Sequence, residues 1–132
     1  LPFNLVINLS QIQVFFNFFN EQNTFIRSDM RRLQQVLLNL LSNAIKFTNR
    51  HGNIIIQSRM IHSFDGEKEN HFVEIQVTDN GVGMNKKEKE NLFKLFGTMK
   101  NTRESNTQGV GLGLCISRMI VESFDGTVQV ES

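Results

Sequence analysis

Three groups of residues have side chains and spacing that could do chemistry. Asn39, Asn43 and Lys46 stand at i, i+4 and i+7. At about 100° per residue they share a helical stripe of roughly 60°. Two amides and an amine on one face can hold a hydrated magnesium and a polyphosphate, since magnesium takes hard oxygen ligands and an asparagine carbonyl supplies one without charge. A solvated helix face is the other reading of the same stripe. Asp79 ends a segment in which Val73, Ile75 and Val77 alternate with Glu74, Gln76 and Thr78. Period two points Asp79 with the valines toward the core, where a carboxylate needs a partner, and an adenine amino group would be one. Gly81 and Gly83 follow and allow close backbone approach to a flat ligand; a surface Asp-Asn-Gly turn explains them as well. Gly109, Val110, Gly111, Leu112, Gly113 and Leu114 lead into an apolar, helix-forming run, and unobstructed amides at a helix start attract anions. The dinucleotide fingerprint would need glycine where Leu114 stands.

The elements that must position these groups follow from hydrophobic periodicity. Leu5, Leu9, Ile12, Phe15, Phe16 and Phe19 recur at helical spacing and predict an amphipathic helix over about 3–20. Thr24 to Arg27 reads as a short strand. A long helix is expected over about 29–48, capped by Ser28 or Asp29, with Leu33, Leu37, Leu40, Leu41 and Ala44 as its apolar stripe. Strands are expected over 53–61 and 72–79, joined by a polar connection containing Asp65-Gly66. A short charged helix over 86–95, a loop over 97–108, a helix from the second glycine run to about Phe124, Gly126 just beyond it, and a last strand over 127–131 complete the pattern. An α/β (α+β) sandwich with helices on one face of a mixed, mostly antiparallel sheet is expected.

In this order the three groups resemble the histidine kinase ATP-binding domain of the GHKL superfamily. Residues 39–48, NLLSNAIKFT, look like its asparagine box, and 79–84, DNGVGM, like its first glycine box. Residues 92–96, LFKLF, are similar to the phenylalanine box, 109–114, GVGLGL, to the second glycine box, and 126–132, GTVQVES, to the closing strand. The resemblance covers about residues 29–132, with 1–28 as a shortened N-terminal helix and strand of the same single domain. It implies a Bergerat-type fold that binds ATP and Mg2+. Asn43, with Asn39, would coordinate magnesium, and Lys46 would reach the phosphates. Asp79 would bond the adenine amino group, while Gly81 and Gly83 would shape its pocket. Phe93 and Phe96, one helical turn apart, would anchor the base of the lid on the cofactor side, and plain core packing explains them equally well. Gly109, Val110, Gly111, Leu112, Gly113 and Leu114 would supply the lid hinge and phosphate-facing amides. Residues 97–108 would form the lid, with Lys100 or Arg103 touching the γ-phosphate. Related chaperone, gyrase and mismatch-repair ATPases carry glutamate at the position of Asn39, and an amide is a poor general base. Transfer to a protein acceptor is therefore favoured over hydrolysis. The alternatives are a nucleotide-binding regulatory module without transfer and a superfamily ATPase.

The bulk properties agree with one small globular domain. The 132 residues are 39% hydrophobic and 20% charged. A formal net charge of +1 argues against nucleic-acid binding through a broad basic field. The single cysteine, Cys115, lies among apolar helix residues and reads as core, in a chain suited to a cytoplasmic setting. No apolar run is long enough to span a bilayer, so no membrane contact is expected within these residues, although the parent protein could carry an anchor. His51, His62 and His71 lack metal-ligand spacing and have no phosphoacceptor context, so the acceptor is expected on a separate dimerisation or phosphotransfer domain, with a response-regulator receiver domain as the next partner. The short N-terminal segment leaves room for one strand before the long helix, and the chain stops before the family's usual last strand.

Overall fold

The computed structural model describes residues 6–9, 11–18, 27–93 and 112–132. Its contacts divide the chain into two compact units, one of residues 1–27 with 43–82 and one of residues 28–42 with 83–132. The fold is α+β with a mixed, mostly antiparallel sheet.

The first unit is built on a four-stranded sheet in the order β1-β2-β3-β4, with β1 Val6–Leu9, β2 Ile12–Phe18, β3 Asn53–Asp65 and β4 Lys68–Asp79. β1 and β2 are antiparallel, β2 and β3 parallel, β3 and β4 antiparallel. The helix expected over 3–20 is therefore two strands. Ile12 and Val14 are buried at 5% and 1% exposure while Gln13 and Asn17 face out, which is period two rather than 3.6. The residues are β-branched and aromatic, and Gln11 takes a positive φ of 67° where Leu9 pairs back onto Ile12. A strand pair thus precedes the long helix, and the expected shortage of strands there does not exist. Residues 24–26 lie outside the described residues, and Arg27 is not in a strand.

The hairpin holds the core of this unit. Ile54 is fully buried and Ile56 nearly so. β3 and β4 run on to a two-residue turn at Gly66-Glu67, consuming the segment expected as a polar connection. Gly66 has φ 61° and is the first central residue, as a type II′ turn requires. The parallel β2–β3 ladder ends at Phe18↔Ser58, so no third described strand pairs with the distal half of the hairpin.

The helix α1, Met30–Phe47, crosses from the second unit into the first. Asp29 is its cap: Oδ1 accepts from the backbone N–H of Arg31 at 3.0 Å and of Arg32 at 3.2 Å. Asp29→Ala should cost about 1 kcal/mol of stability, read as a lowered Tm at unchanged helical signal. Of its apolar stripe Ala44 is buried and the four leucines are half-buried, but the most buried residue of the remaining turns is Val36, which the leucine spacing missed.

In the second unit, α2 is Lys86–Asn91 and α3 is Leu112–Glu122. α2 opens with a capping box in which Asn85 and Glu88 satisfy each other's backbone N–H groups. It ends earlier than expected, because Leu92 N–H turns back to the Lys89 carbonyl. Cys115, Ser117 and Ile120 are the buried residues of α3, so Cys115 packs as core. Gly126 does not directly follow the helix. A turn at 123–125 intervenes, and Asp125 rather than glycine takes the left-handed φ of 57°. Gly126 serves packing instead, since a Cβ there would stand 2.8 Å from Val121 Cγ1. Residues 127–131 alternate exposed and half-buried as a strand would, but pair with no strand among the described residues. Alternation reports one-sided burial and cannot report a ladder partner.

Candidate functional site

In the first unit, β4 ends at Asp79, in register with buried Ile54. Asp79 therefore shares the face of Val73, Ile75 and Val77, as period two required, but the residue is exposed rather than buried. Its Oδ1 accepts from the N–H of Gly81 at 2.9 Å, closing a tight turn. One carboxylate oxygen thus fixes the loop, leaving the other as an acceptor for a ligand N–H. The neighbouring Asn80, which sequence reasoning left out, staples the strand ends. Its Oδ1 accepts from Asn53 N–H at 2.7 Å, and its own N–H donates to the Asn53 carbonyl.

Gly81 is demanded by packing. A Cβ there would lie 2.2 Å from the Phe47 carbonyl oxygen and 2.7 Å from Asp79 Oδ1. The last carbonyl of α1 thus sits against the loop and accepts the Val82 N–H at 3.2 Å. Gly81→Ala must move backbone, and should cost about 1–3 kcal/mol, measured by denaturant unfolding. On the same part of α1, Asn43 is half-buried and Lys46 exposed, with Lys46 Nζ 5.3 Å from the Phe47 ring centroid.

In the second unit, Asn39 is half-buried and committed. Its Nδ2 donates to the Gly113 carbonyl at 3.1 Å and to Ser117 Oγ at 3.1 Å, tying α1 to the first turns of α3. Ser117 is only 1% exposed. Gly113 lies inside α3, as its second residue, not in a loop before it. A Cβ there would press on Asn39 Oδ1 at 3.3 Å, so glycine makes room for the amide. Leu112, Gly113 and Leu114 are first-turn residues, whose N–H groups have no partner within the helix. Gly83 has φ 67°, and the next residue, Met84, donates its N–H to Ser132 Oγ at 2.7 Å. Phe93 is half-buried with the Arg118 guanidinium 5.5 Å from its ring centroid. Phe96, Gly109, Val110, Gly111, Lys100, Arg103 and the expected lid over 97–108 lie outside the described residues.

Sequence reasoning missed Ser117 and Asn80. A small hydroxyl in an apolar helix face and an asparagine after a strand carry no signal without their partners.

The family model that matches, over residues 28–132, is that of histidine kinase-, DNA gyrase B- and HSP90-like ATPases. The chain is 41% identical over 107 residues to the sensor histidine kinase RcsC of Escherichia coli, covering 81% of this chain and 10% of that protein. It is 37% identical over 108 residues to hybrid signal transduction histidine kinase B of Dictyostelium discoideum, covering 81% of this chain and 5% of the other. It is 33% identical over 125 residues to the circadian input-output histidine kinase CikA of Synechococcus elongatus, covering 94% and 16%. Among solved structures, a mycobacterial sensor histidine kinase, MprB, superposes with a TM-score of 0.62 at 26% identity, over 86% of this chain and 65% of that one. The chain thus spans a small part of these curated relatives. The match takes in Asn39, Asp79 and Gly113 in one continuous stretch, and the chain belongs to the histidine kinase-, DNA gyrase B- and HSP90-like ATPase family, as an ATP-binding domain of the sensor histidine kinase kind.

Proposed function

We propose that the chain binds Mg-ATP and transfers the γ-phosphate to a histidine on a separate dimerisation and phosphoacceptor domain, from which a response-regulator receiver domain takes it. The observation that carries this reading is Asn39. Its side chain is a neutral amide, fixed by donation to Gly113 and Ser117, and it cannot take a proton from water. The chain would then work by positioning and charge neutralisation around the phosphate, as phosphoryl transfer needs.

Asp79 would hold the adenine amino group through the oxygen not used by Gly81. Lys46 would meet the phosphates, and the first-turn amides at Leu112, Gly113 and Leu114 would face them. Asn43 and Asn39 would hold a magnesium ion, which would supply positive charge against the phosphates. The donor set suits it: the carbonyls of Asn43 and Asn39 are hard, uncharged oxygens on one helical stripe. The hybrid kinase named among the relatives supports a multidomain parent with receiver partners. No described helix is long and apolar enough to cross a membrane; we place the domain in the cytoplasm, with any anchor elsewhere in the parent.

The test supplies a phosphoacceptor domain in trans with γ-labelled ATP. Label on the acceptor histidine, with little phosphate released when the acceptor is omitted, is the expected result. Steady hydrolysis without an acceptor would instead mark an ATPase, and binding without either reaction a regulatory module. Asn43→Ala should reduce transfer far more than it reduces stability, measured on the same preparation.

A further inference from the structure

We infer that His62, Glu69 and His71 form a surface site for one transition-metal dication of the zinc class. The sequence hides this group because its members come from two strands. In the β3–β4 register His62 stands directly opposite His71, and Glu69 lies two residues before His71 on the same strand. Period two therefore puts all three on one face.

The geometry suits a metal. Each residue offers one ligand atom, and these atoms lie within 4.8 Å of one another. His62 Nδ1 is 3.0 Å from Glu69 Oε1, and His71 Nε2 is 3.8 Å from Glu69 Oε2. Tetrahedral zinc, with bonds of about 2.0–2.1 Å, needs ligand atoms roughly 3.3–3.5 Å apart, so small rotamer changes close the set. The two imidazoles meet edge to face, with centroids 4.8 Å apart and planes at 80°, which leaves a ring nitrogen of each able to turn toward one point.

The chemistry selects the ion. Two imidazoles and a carboxylate favour zinc, copper, nickel or cobalt over magnesium, which prefers oxygen. This site is therefore separate from the cation that accompanies the nucleotide, and it does not depend on the kinase reading. Its place also matters. Near the start of the hairpin this face carries buried Ile54 and Ile56, but past Ser58 the parallel ladder has ended and all three ligands are exposed. The nearby cation Arg59 pairs across the strands with Glu74, Nε to Oε1 at 2.6 Å, on the opposite face. With three protein ligands, the fourth position stays open to water or to a side chain of another molecule. An ordinary exposed His–Glu ion pair is the competing explanation, and it takes up no metal.

The experiment titrates the tag-free, chelator-stripped chain with zinc chloride, without nucleotide, by calorimetry and by thermal unfolding. One equivalent should bind and raise Tm, with magnesium at the same concentration giving neither effect. His62→Ala, His71→Ala and Glu69→Gln should each weaken binding at least about tenfold, the order seen when metal-site residues are altered. These side chains are exposed, so the fold should persist, checked by circular dichroism. Cobalt gives a second readout: its visible spectrum should show nitrogen and oxygen ligation without a thiolate band, which excludes Cys115. Failure of zinc to saturate at one equivalent, zinc binding unchanged in folded His71→Ala, or a thiolate band would each overturn the proposal.

Discussion

Asp79→Ala should weaken Mg-ATP binding about ten- to a hundredfold while the chain stays folded, the loss expected when a hydrogen bond to a charged group disappears. The side chain is exposed, so little packing goes with it. Removing it also frees the Gly81 N–H, now 2.9 Å from Oδ1, and that group can turn to water. Asp79→Asn separates the two jobs of the carboxylate. The amide keeps one oxygen for Gly81, preserving the turn, but presents NH2 where the adenine amino group also donates. Binding lost in both variants, by calorimetry with the circular dichroism unchanged, assigns Asp79 to the ligand. Binding kept in Asp79→Asn and lost in Asp79→Ala assigns it to the loop alone. Binding kept in both would remove Asp79 from the site.

How much of this was legible depends on where each residue's partners lie. α1 was read nearly to the residue because its signals are local: Asp29 before the first turn and apolar residues at helical spacing. The β3–β4 pair was legible for the same reason, through alternation and a turn glycine, though its turn is tighter than the polar composition implied. Residues 6–18 were misread because Leu9, Ile12, Phe15, Phe16 and Phe19 satisfy a helical template while Ile12 and Val14 satisfy a strand. The decision fell to a non-local partner, the parallel ladder with residues 53–58. The closing segment failed in the opposite sense, since its alternation is present without a ladder. In the candidate site, Asn39 and Gly113 were both named from the sequence, but as a metal ligand and a phosphate-facing amide. That one makes room for the other, and that Ser117 completes the contact, lies 74 and 78 residues away along the chain. The histidine cluster escaped for a related reason, because cross-strand register leaves no fixed spacing to recognise.

Asn39→Leu should then cost about 2–4 kcal/mol in denaturant unfolding. It strands the buried hydroxyl of Ser117, and an unsatisfied buried group costs about 1–3 kcal/mol; the Gly113 carbonyl keeps its partner within α3 and loses only its second hydrogen bond, about 1 kcal/mol more. Ser117→Ala should cost much less, because Asn39 keeps its bond to Gly113 and the void is small. The double variant should be more stable than the sum of the two losses predicts. With alanine at 117, leucine at 39 no longer abandons a buried hydroxyl, so a coupling of about 0.5–2 kcal/mol is expected from the cycle. Coupling near zero would mean that the Ser117 contact contributes nothing and that Asn39 acts on Gly113 alone. The same variants bear on function. If Asn39 matters by holding the start of α3, Ser117→Ala should reduce phosphotransfer in proportion to the loosened contact although Ser117 offers nothing to a nucleotide. If Asn39 matters only as a ligand for magnesium, Ser117→Ala should leave transfer and its magnesium dependence unchanged, while Asn39→Leu alters both. Two aims compete for one amide group: its nitrogen is committed to α3 and its oxygen is still available. Asn39→Asp tests that division, since the carboxylate keeps an oxygen for the metal but cannot donate to Gly113 or Ser117. Lost stability with retained magnesium dependence is the expected outcome.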